Sequence, residues 1–432
     1  MNKESGEGLK REIGLWGLSA NMVNIIIGSG IFVLPAIIAG ILGPASVLAY
    51  LFCGLLIILI MLCYAEAGSK ITKSGGSYAY VETAFGEYFG FLVFITLFIS
   101  TVCAVAAVAN ALFETITSFF PALHSGIIRI AFLLLLFGGL IWINIRGVRQ
   151  GVGTVKLLTL AKLLPLILLI VFGLLQLKAD NLKWHSIPGL GSIGEASLIL
   201  FFAYLGGETG LSVGGEIKNP ARTVPRAVII SIVFVILFYT AIQTIAQSVL
   251  GASLASEIAA PLAATGKVLF GVFGFTFILL GTSVSMLGNL SGQVLNNPRN
   301  LFAISRDRII PVKAFSVVHK KYATPYIAII VYASLCLLFA IFGGFQVLAV
   351  LSVAGALLVY LAVAIAVLKL RKIPEMRSKG ITIPGGALVP VLSALICLFF
   401  LYHLKAKELI SITAFLAIST FLYWGLSRIK NN

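Results

Sequence analysis

The sequence predicts an all-α, polytopic membrane protein of twelve transmembrane helices. Three observations carry that expectation. Only 11% of the 432 residues are charged and 59% are hydrophobic, whereas a water-soluble chain carries about 25% charged residues. The mean hydropathy is +1.07. The apolar residues gather into runs long enough to cross a bilayer, for which about 20 residues suffice. A soluble enzyme, a disulfide scaffold and a disordered chain are excluded together.

Taken in order, the apolar runs lie near residues 13–40, 45–67, 88–118, 126–144, 155–176, 194–215, 227–250, 268–298, 326–342, 345–368, 387–404 and 409–427. The stretch from 326 to 368 is twice the length of one span, and Gly343-Gly344 at its middle supplies the turn. Behind the basic start (Lys3, Lys10, Arg11) the first run continues without a small-residue cleavage site, so it is read as a retained span. The five cysteines (Cys53, Cys63, Cys103, Cys336, Cys397) all sit inside apolar runs, where a small buried hydrophobe is the expected role. With none in an outer loop, a disulfide-linked partner subunit is not expected.

The 31 basic against 15 acidic residues give a formal charge of +16, which raises the question of a nucleic-acid partner. Their positions answer it. With the N-terminus in the cytoplasm, 24 of the 31 fall on the inner side, 6 on the outer side, and one, Lys162, stays inside a span. Such a bias fixes both termini inside, at the cytoplasmic membrane. Short loops without interleaved aromatic residues do not make a nucleic-acid surface.

Two runs have polar, glycine-rich centres: Ile26-Ile27-Gly28-Ser29-Gly30-Ile31-Phe32 in the first span, and Ala203-Tyr204-Leu205-Gly206-Gly207-Glu208-Thr209-Gly210 in the sixth. Glycine costs a helix about 1 kcal/mol relative to alanine, and clustered glycines favour unwinding. Irregular backbone at membrane depth persists only where it lines a cavity or is buried in protein. Close helix packing through small residues is the competing explanation. The breaks stand five spans apart, which predicts two inverted repeats, residues 1–176 and 194–370, followed by two appended helices over 387–428 in one transporter-like domain.

A broken helix offers free N–H groups and a positive dipole end on one half, and free carbonyls on the other. Such a pair suits a zwitterion. Its carboxylate would dock at Gly28, Ser29 and Gly30, and its ammonium on the carbonyl of Ile26 and the stretch from Phe202 through Ala203 to Leu205. Two ionisable residues lie at mid-membrane, Lys162 and Glu208, each costing about 3 kcal/mol or more to insert. Lys162 would serve as a proton carrier or as a fixed cation that excludes sodium. Glu208 would respond to pH, meet a cationic group, or simply hydrogen-bond the unwound backbone.

Other signals are weak. Gly189 to Gly194 matches a dinucleotide-binding GxGxxG pattern, yet no strand precedes it. Asn289-Leu290-Ser291 is a glycosylation sequon buried in a span. The four histidines (His124, His185, His319, His403) lack ligand spacing, so neither metal nor cofactor is expected. No nucleophile and base are spaced for covalent catalysis, and the chain does not read as an enzyme.

Four stretches, in order, resemble the amino-acid permeases of the amino acid-polyamine-organocation superfamily. They are Gly28 to Phe32, Ser74-Gly75-Gly76-Ser77-Tyr78-Ala79-Tyr80, Glu216-Ile217-Lys218-Asn219-Pro220 through Pro225-Arg226, and Arg299 to Pro311. The resemblance covers essentially the whole chain. It implies a LeuT-like fold of two inverted five-helix repeats. Ser29 and Gly30 would hold a substrate carboxylate, and the carbonyls of Ile26, Phe202 and Leu205 its amino group. Phe202 matches an aromatic position that closes over substrate in arginine/agmatine exchangers, and Glu208 a glutamate implicated there in pH sensing. Lys162 matches the lysine that replaces a sodium ion in sodium-independent members. Ile25 stands where the arginine exchangers have a polar residue and Gln293 where they have tryptophan, which favours a smaller, neutral side chain.

The implied activity is sodium-independent transport of small neutral amino acids, by exchange or coupled to protons. A cationic amino-acid or polyamine antiporter is the alternative, followed by a channel or nutrient sensor on the same scaffold.

Overall fold

The computed structural model describes residues 13–72, 75–146, 152–184, 187–211, 217–306, 309–310, 312–322 and 324–431. The leader lysines and arginine, together with Lys73, Ser74, Arg149, His185, Glu216, Arg308 and Pro311 of the sequence motifs and loops, lie outside the described residues.

Within the described residues the apolar runs are helical apart from breaks in the first and the sixth. In chain order the helices are α1 (Leu15–Ile26), α2 (Gly30–Leu42), α3 (Ser46–Lys70), α4 (Ser77–Phe85), α5 (Glu87–Phe119), α6 (Gly126–Ile145), α7 (Val152–Leu175) and α8 (Leu190–Leu200). They continue as α9 (Pro220–Leu250), α10 (Pro261–Arg306), α11 (Tyr326–Phe342), α12 (Phe345–Leu370), α13 (Pro374–Arg377), α14 (Leu388–Tyr402) and α15 (Ala406–Asn431). Among the described residues the extended pairing is limited to one bridge, Ile13 with Ile217. Among the described residues, eight helical stretches are long and apolar enough to cross a membrane, and four shorter apolar helices accompany them, α1 and α11 among these.

The first run is two helices, as its glycine-rich centre predicts: the backbone leaves helical geometry at Ile27 (φ −72°, ψ 83°) before the Gly28-Ser29 pair. Two boundaries differ from the reading of the sequence, each for a local reason. The eighth run extends at both ends into α10, which bends at Gly271, where φ of +67° is open to glycine and strained for other residues. The motif after α3 is not a plain loop, since it winds into α4 behind Gly75 and Gly76, both at positive φ.

Hydrogen bonds between described loop residues join partners that the charge bias assigns to the same side. On one side, Lys218 N donates to Ile13 O (2.8 Å) and Thr324 Oγ1 to Ile145 O (2.7 Å). On the other, Asn181 Nδ2 donates to Ser248 O (2.6 Å) and Arg129 Nη2 to Gly343 O (2.9 Å).

The first side also holds a buried ionic cluster. Glu66, fully buried at the foot of α3, accepts from Arg371 Nε (2.8 Å), Arg371 Nη2 (2.5 Å) and Ile383 N (3.0 Å). The carboxylate holds the Arg371 guanidinium above its ordinary pKa by hydrogen bonding. Lys70 Nζ stands 3.7 Å from Glu66 and donates to Met376 O and Thr382 Oγ1. The strand of loop between α12 and α14 is thus fastened across the end of α3. Removing Arg371 takes away the bidentate partner and leaves Glu66 with Lys70 and Ile383 N, so the loss falls below the about 3–5 kcal/mol of a wholly unpartnered buried charge. Arg371→Met is therefore expected to lower the melting temperature of the detergent-purified protein by several degrees. Glu66→Leu, which strands both Arg371 and the buried Lys70, should lower it further, and a Glu66→Leu variant as stable as the parent would contradict this account.

Candidate functional site

The site is built where two helices fail. After Ile26 the α1 ladder stops: Ile27 N still reaches Val23 O (3.0 Å), but Gly28 N turns back to Ile26 O (2.7 Å). The next ladder starts from Ser29 O, which takes Phe32 N (3.0 Å) and Val33 N (3.2 Å). The amides of Gly30 and Ile31 precede these bonds, at the positive end of α2. Ser29 is buried, and its hydroxyl has no hydrogen-bond partner among the described residues.

The second break follows α8. A 3₁₀ turn, Phe201–Tyr204, leads to an extended Leu205 (ψ 155°), then to Gly206 at φ +103° and a further 3₁₀ turn, Gly207–Leu211. Only glycine adopts that φ without strain. Glu208 folds back onto this turn: its Oε2 accepts Gly206 N (3.1 Å) and the hydroxyl of Tyr360 on α12 (2.8 Å). The two breaks touch. A methyl group placed on Gly30 would stand 2.6 Å from Ala203 Cα and 2.7 Å from its Cβ.

Two side chains bind the breaks to their surroundings. Lys162 of α7, 5% exposed, donates from Nζ to Asn24 O (2.6 Å) and Ile27 O (2.7 Å). In an unbroken helix those carbonyls would accept the amides of residues 28 and 31. The break frees them, and the ammonium takes them at the negative end of α1. Tyr239 of α9 sits between the breaks, its hydroxyl 3.1 Å from Ile26 O and 3.2 Å from Ala203 O.

A small cavity of about 50 Å³ lies against both breaks, lined by Gly28, Ser29, Gly30, Phe202, Leu205 and Gln293 among others. It shares Ile25, Thr209, Asn289 and Gln293 with a larger one of about 260 Å³, which also reaches Asn21, Asn24, Lys162 and Asn296. That larger space follows α1 from the break back to Asn21 and α10 from Val284 on to Asn296. The far side of the small cavity is covered by Phe202, whose ring meets Phe345 edge-on. The wall includes apolar Leu97, Ala104, Val108 and Ala356, and its carboxylate, Glu208, is occupied by Gly206 and Tyr360.

The family model described as amino acid permease matches residues 13–426. This chain belongs to the amino acid permease family. It is a multi-pass membrane transport protein and not an enzyme. The permease is 31% identical over 396 residues to the serine/threonine exchanger SteT of Bacillus subtilis (strain 168), covering 89% of each chain. It is 28% identical to the methylthioribose transporter of the same organism, over 99% of this chain and 95% of that one. It is 27% identical to the branched-chain amino acid permease BcaP, again of Bacillus subtilis (strain 168), over 98% and 95%.

In the permease, Ile26, Gly28, Ser29, Gly30, Phe202, Leu205 and Gln293 line one cavity, whereas Ala203 packs against Gly30 and gives its carbonyl to Tyr239; Lys162 stands behind the first break and Glu208 inside the second. The Ile26 carbonyl already accepts Gly28 N and the Tyr239 hydroxyl. Sequence reasoning missed Tyr239, Tyr360 and Asn289. For Asn289 a signal existed: Ser285, Asn289, Gln293 and Asn297 recur every four residues through an apolar run, which places them on one face of α10. Asn297 Nδ2 in turn holds Gln293 Oε1 (2.8 Å) and Tyr332 Oη (2.7 Å). For the tyrosines there was none, because a single buried hydroxyl does not announce its partner.

Proposed function

We propose that this permease is a sodium-independent secondary transporter of small neutral L-amino acids, working by alternating access through exchange or proton symport. It crosses the cytoplasmic membrane twelve times, with both ends inside, as two inverted five-helix repeats and two appended helices. The substrate carboxylate sits at Ser29 and Gly30, and its ammonium on carbonyls of Ile26, Phe202 and Leu205. Tyr239 then yields Ile26 and keeps Ala203.

The observation that carries the reading is the Lys162 ammonium on Asn24 O and Ile27 O. Those oxygens form the kind of carbonyl cage a sodium ion would need, and a protein cation already fills it. The small cavity supports a compact neutral side chain, and the engagement of Glu208 by Tyr360 speaks against a second substrate cation. Exchange of serine and threonine by one relative and the branched-chain permease name of another agree with neutral substrates.

The test is counterflow of labelled amino acids in proteoliposomes of the purified chain. Saturable exchange of serine, threonine, alanine or a branched-chain amino acid, unchanged when sodium is replaced by choline, is the expected result. An imposed pH gradient tells exchange from symport. Sodium dependence, or counterflow of arginine or a polyamine alone, overturns the reading.

A further inference from the structure

Helices α5 and α12 approach closely at Gly355, where an added methyl would stand 3.0 Å from Ser100 Cβ and 3.5 Å from Thr96 O. Ser100 Oγ also donates to Ser352 O there (2.7 Å). From Thr96 and Leu358 toward the end of α12, a groove of about 330 Å³ runs along the two helices. Phe89 of α5 and Ile365 of α12 line it, with Phe85 of α4 and Leu416 of α15. Thr96 is the one polar residue along it. α15 is held on α5 by the Tyr88 and Thr420 hydroxyls (3.0 Å) and by the Tyr423 ring against Tyr88 and Phe91. Phe89 and Ile365 are 48% and 43% exposed, so the groove is open to the surrounding bilayer.

Length and charge select the occupant. Leu358 and Lys369 lie eleven positions apart on α12, about 16 Å at the helical rise. That is the depth of one leaflet of a hydrocarbon core about 30 Å thick. Lys369 stands at the groove's mouth, its Nζ 4.5 Å from the centroid of the Phe85 ring that lines the groove. Lys372 follows one turn on, its N donating to Lys369 O (2.9 Å), and both lysines are exposed. Among the described residues neither ammonium is paired with a carboxylate. Glu82, the sole carboxylate on α4, accepts from Tyr78 Oη (2.9 Å). Basic residues just beyond a membrane helix attract anionic headgroups, and lysine stems lie along apolar surface with the charge at the interface. An apolar slot one leaflet deep, with two ammonium groups at its mouth, is complementary to an acyl chain that ends in a phosphate.

We propose that this groove seats an acyl chain of an anionic phospholipid, with its phosphate on Lys369 and Lys372. In the proposed topology the lipid belongs to the cytoplasmic leaflet.

The test reads lipid binding and not transport, so its failure leaves the amino-acid reading untouched. The delipidated chain is titrated with phosphatidylglycerol or with phosphatidylcholine of the same acyl chains, and bound lipid is counted by native mass spectrometry. One phosphatidylglycerol is expected to bind about tenfold tighter than phosphatidylcholine. Lys369→Gln with Lys372→Gln should remove that preference, whereas Lys267→Gln, an exposed lysine on the other side, should keep it. Ala362→Trp, which fills the groove, should lose the tight site. If Ala362→Trp fails to elute as a folded species, Ile365→Trp on the open side decides. Equal affinity for the two lipids overturns the site, as does a preference that survives the lysine pair or the filled groove. A dimer of the chain that Ala362→Trp converts to monomer also overturns it, because a second copy would then cover this face.

Discussion

Lys162→Ala is expected to abolish transport, or slow it at least a hundredfold, in a protein that still elutes as a single species from a sizing column. Its ammonium is hydrogen-bonded at 2.6 and 2.7 Å to Asn24 O and Ile27 O, two carbonyls that the helix break deprives of their own amides. Leaving a buried acceptor unsatisfied costs about 1–3 kcal/mol, more when the lost partner is charged. Two such losses at one point, each at the upper end because the partner is charged, exceed the about 2.8 kcal/mol that corresponds to a hundredfold change. The cost falls on the conformation in which the break is held open for substrate, because the rest of α1 and α2 is packed independently of α7. Counterflow in proteoliposomes provides the measurement, and full activity in Lys162→Ala would remove the residue from the mechanism. If sodium then restored activity to the variant, it would identify the vacated carbonyls as a cation cage.

Gly30→Ala is expected to raise the substrate Kd tenfold or more while shifting the melting temperature by only a few degrees. The added methyl would stand 2.6 Å from Ala203 Cα, which is backbone and cannot rotate away. The two breaks must separate, and overpacking of this kind costs typically 1–3 kcal/mol. Gly28→Ala makes the comparison. There the nearest atom is Asn289 Nδ2 at 3.2 Å, the end of a side chain that can move aside. Binding to Gly28→Ala should therefore stay within a fewfold of the parent, by scintillation proximity with a labelled neutral amino acid. Equal losses in both variants would mean that the break-to-break contact has no special place in binding.

What was legible in the sequence was what a single position reveals by being out of place. A lysine and a glutamate inside apolar runs, and glycines clustered at mid-span, are anomalies of local composition, and each lies at the cavity. The chemistry that completes them is tertiary. Glu208 meets Tyr360 across 152 positions, and Lys162 meets Asn24 across 138. No spacing rule links residues so far apart. Tyr239 was illegible for the same reason, and its presence alters the site, since the Ile26 carbonyl is not idle but shared. The loop fastening at Glu66 was half visible. Glu66 and Lys70 mark the end of a span by their charge, whereas Arg371 looked like one basic residue among many on the inner side. The bend at Gly271 was hidden because a lone glycine in an apolar run is compatible with a straight helix.

The hydroxyl of Tyr239 has one hydrogen to give and two carbonyl oxygens within reach, on opposite breaks, at 3.1 and 3.2 Å. If, as proposed, a substrate cation claimed Ile26 O, that hydrogen would pass wholly to Ala203 O. Occupation of one half of the site would then reach the other through the rotation of a single O–H bond.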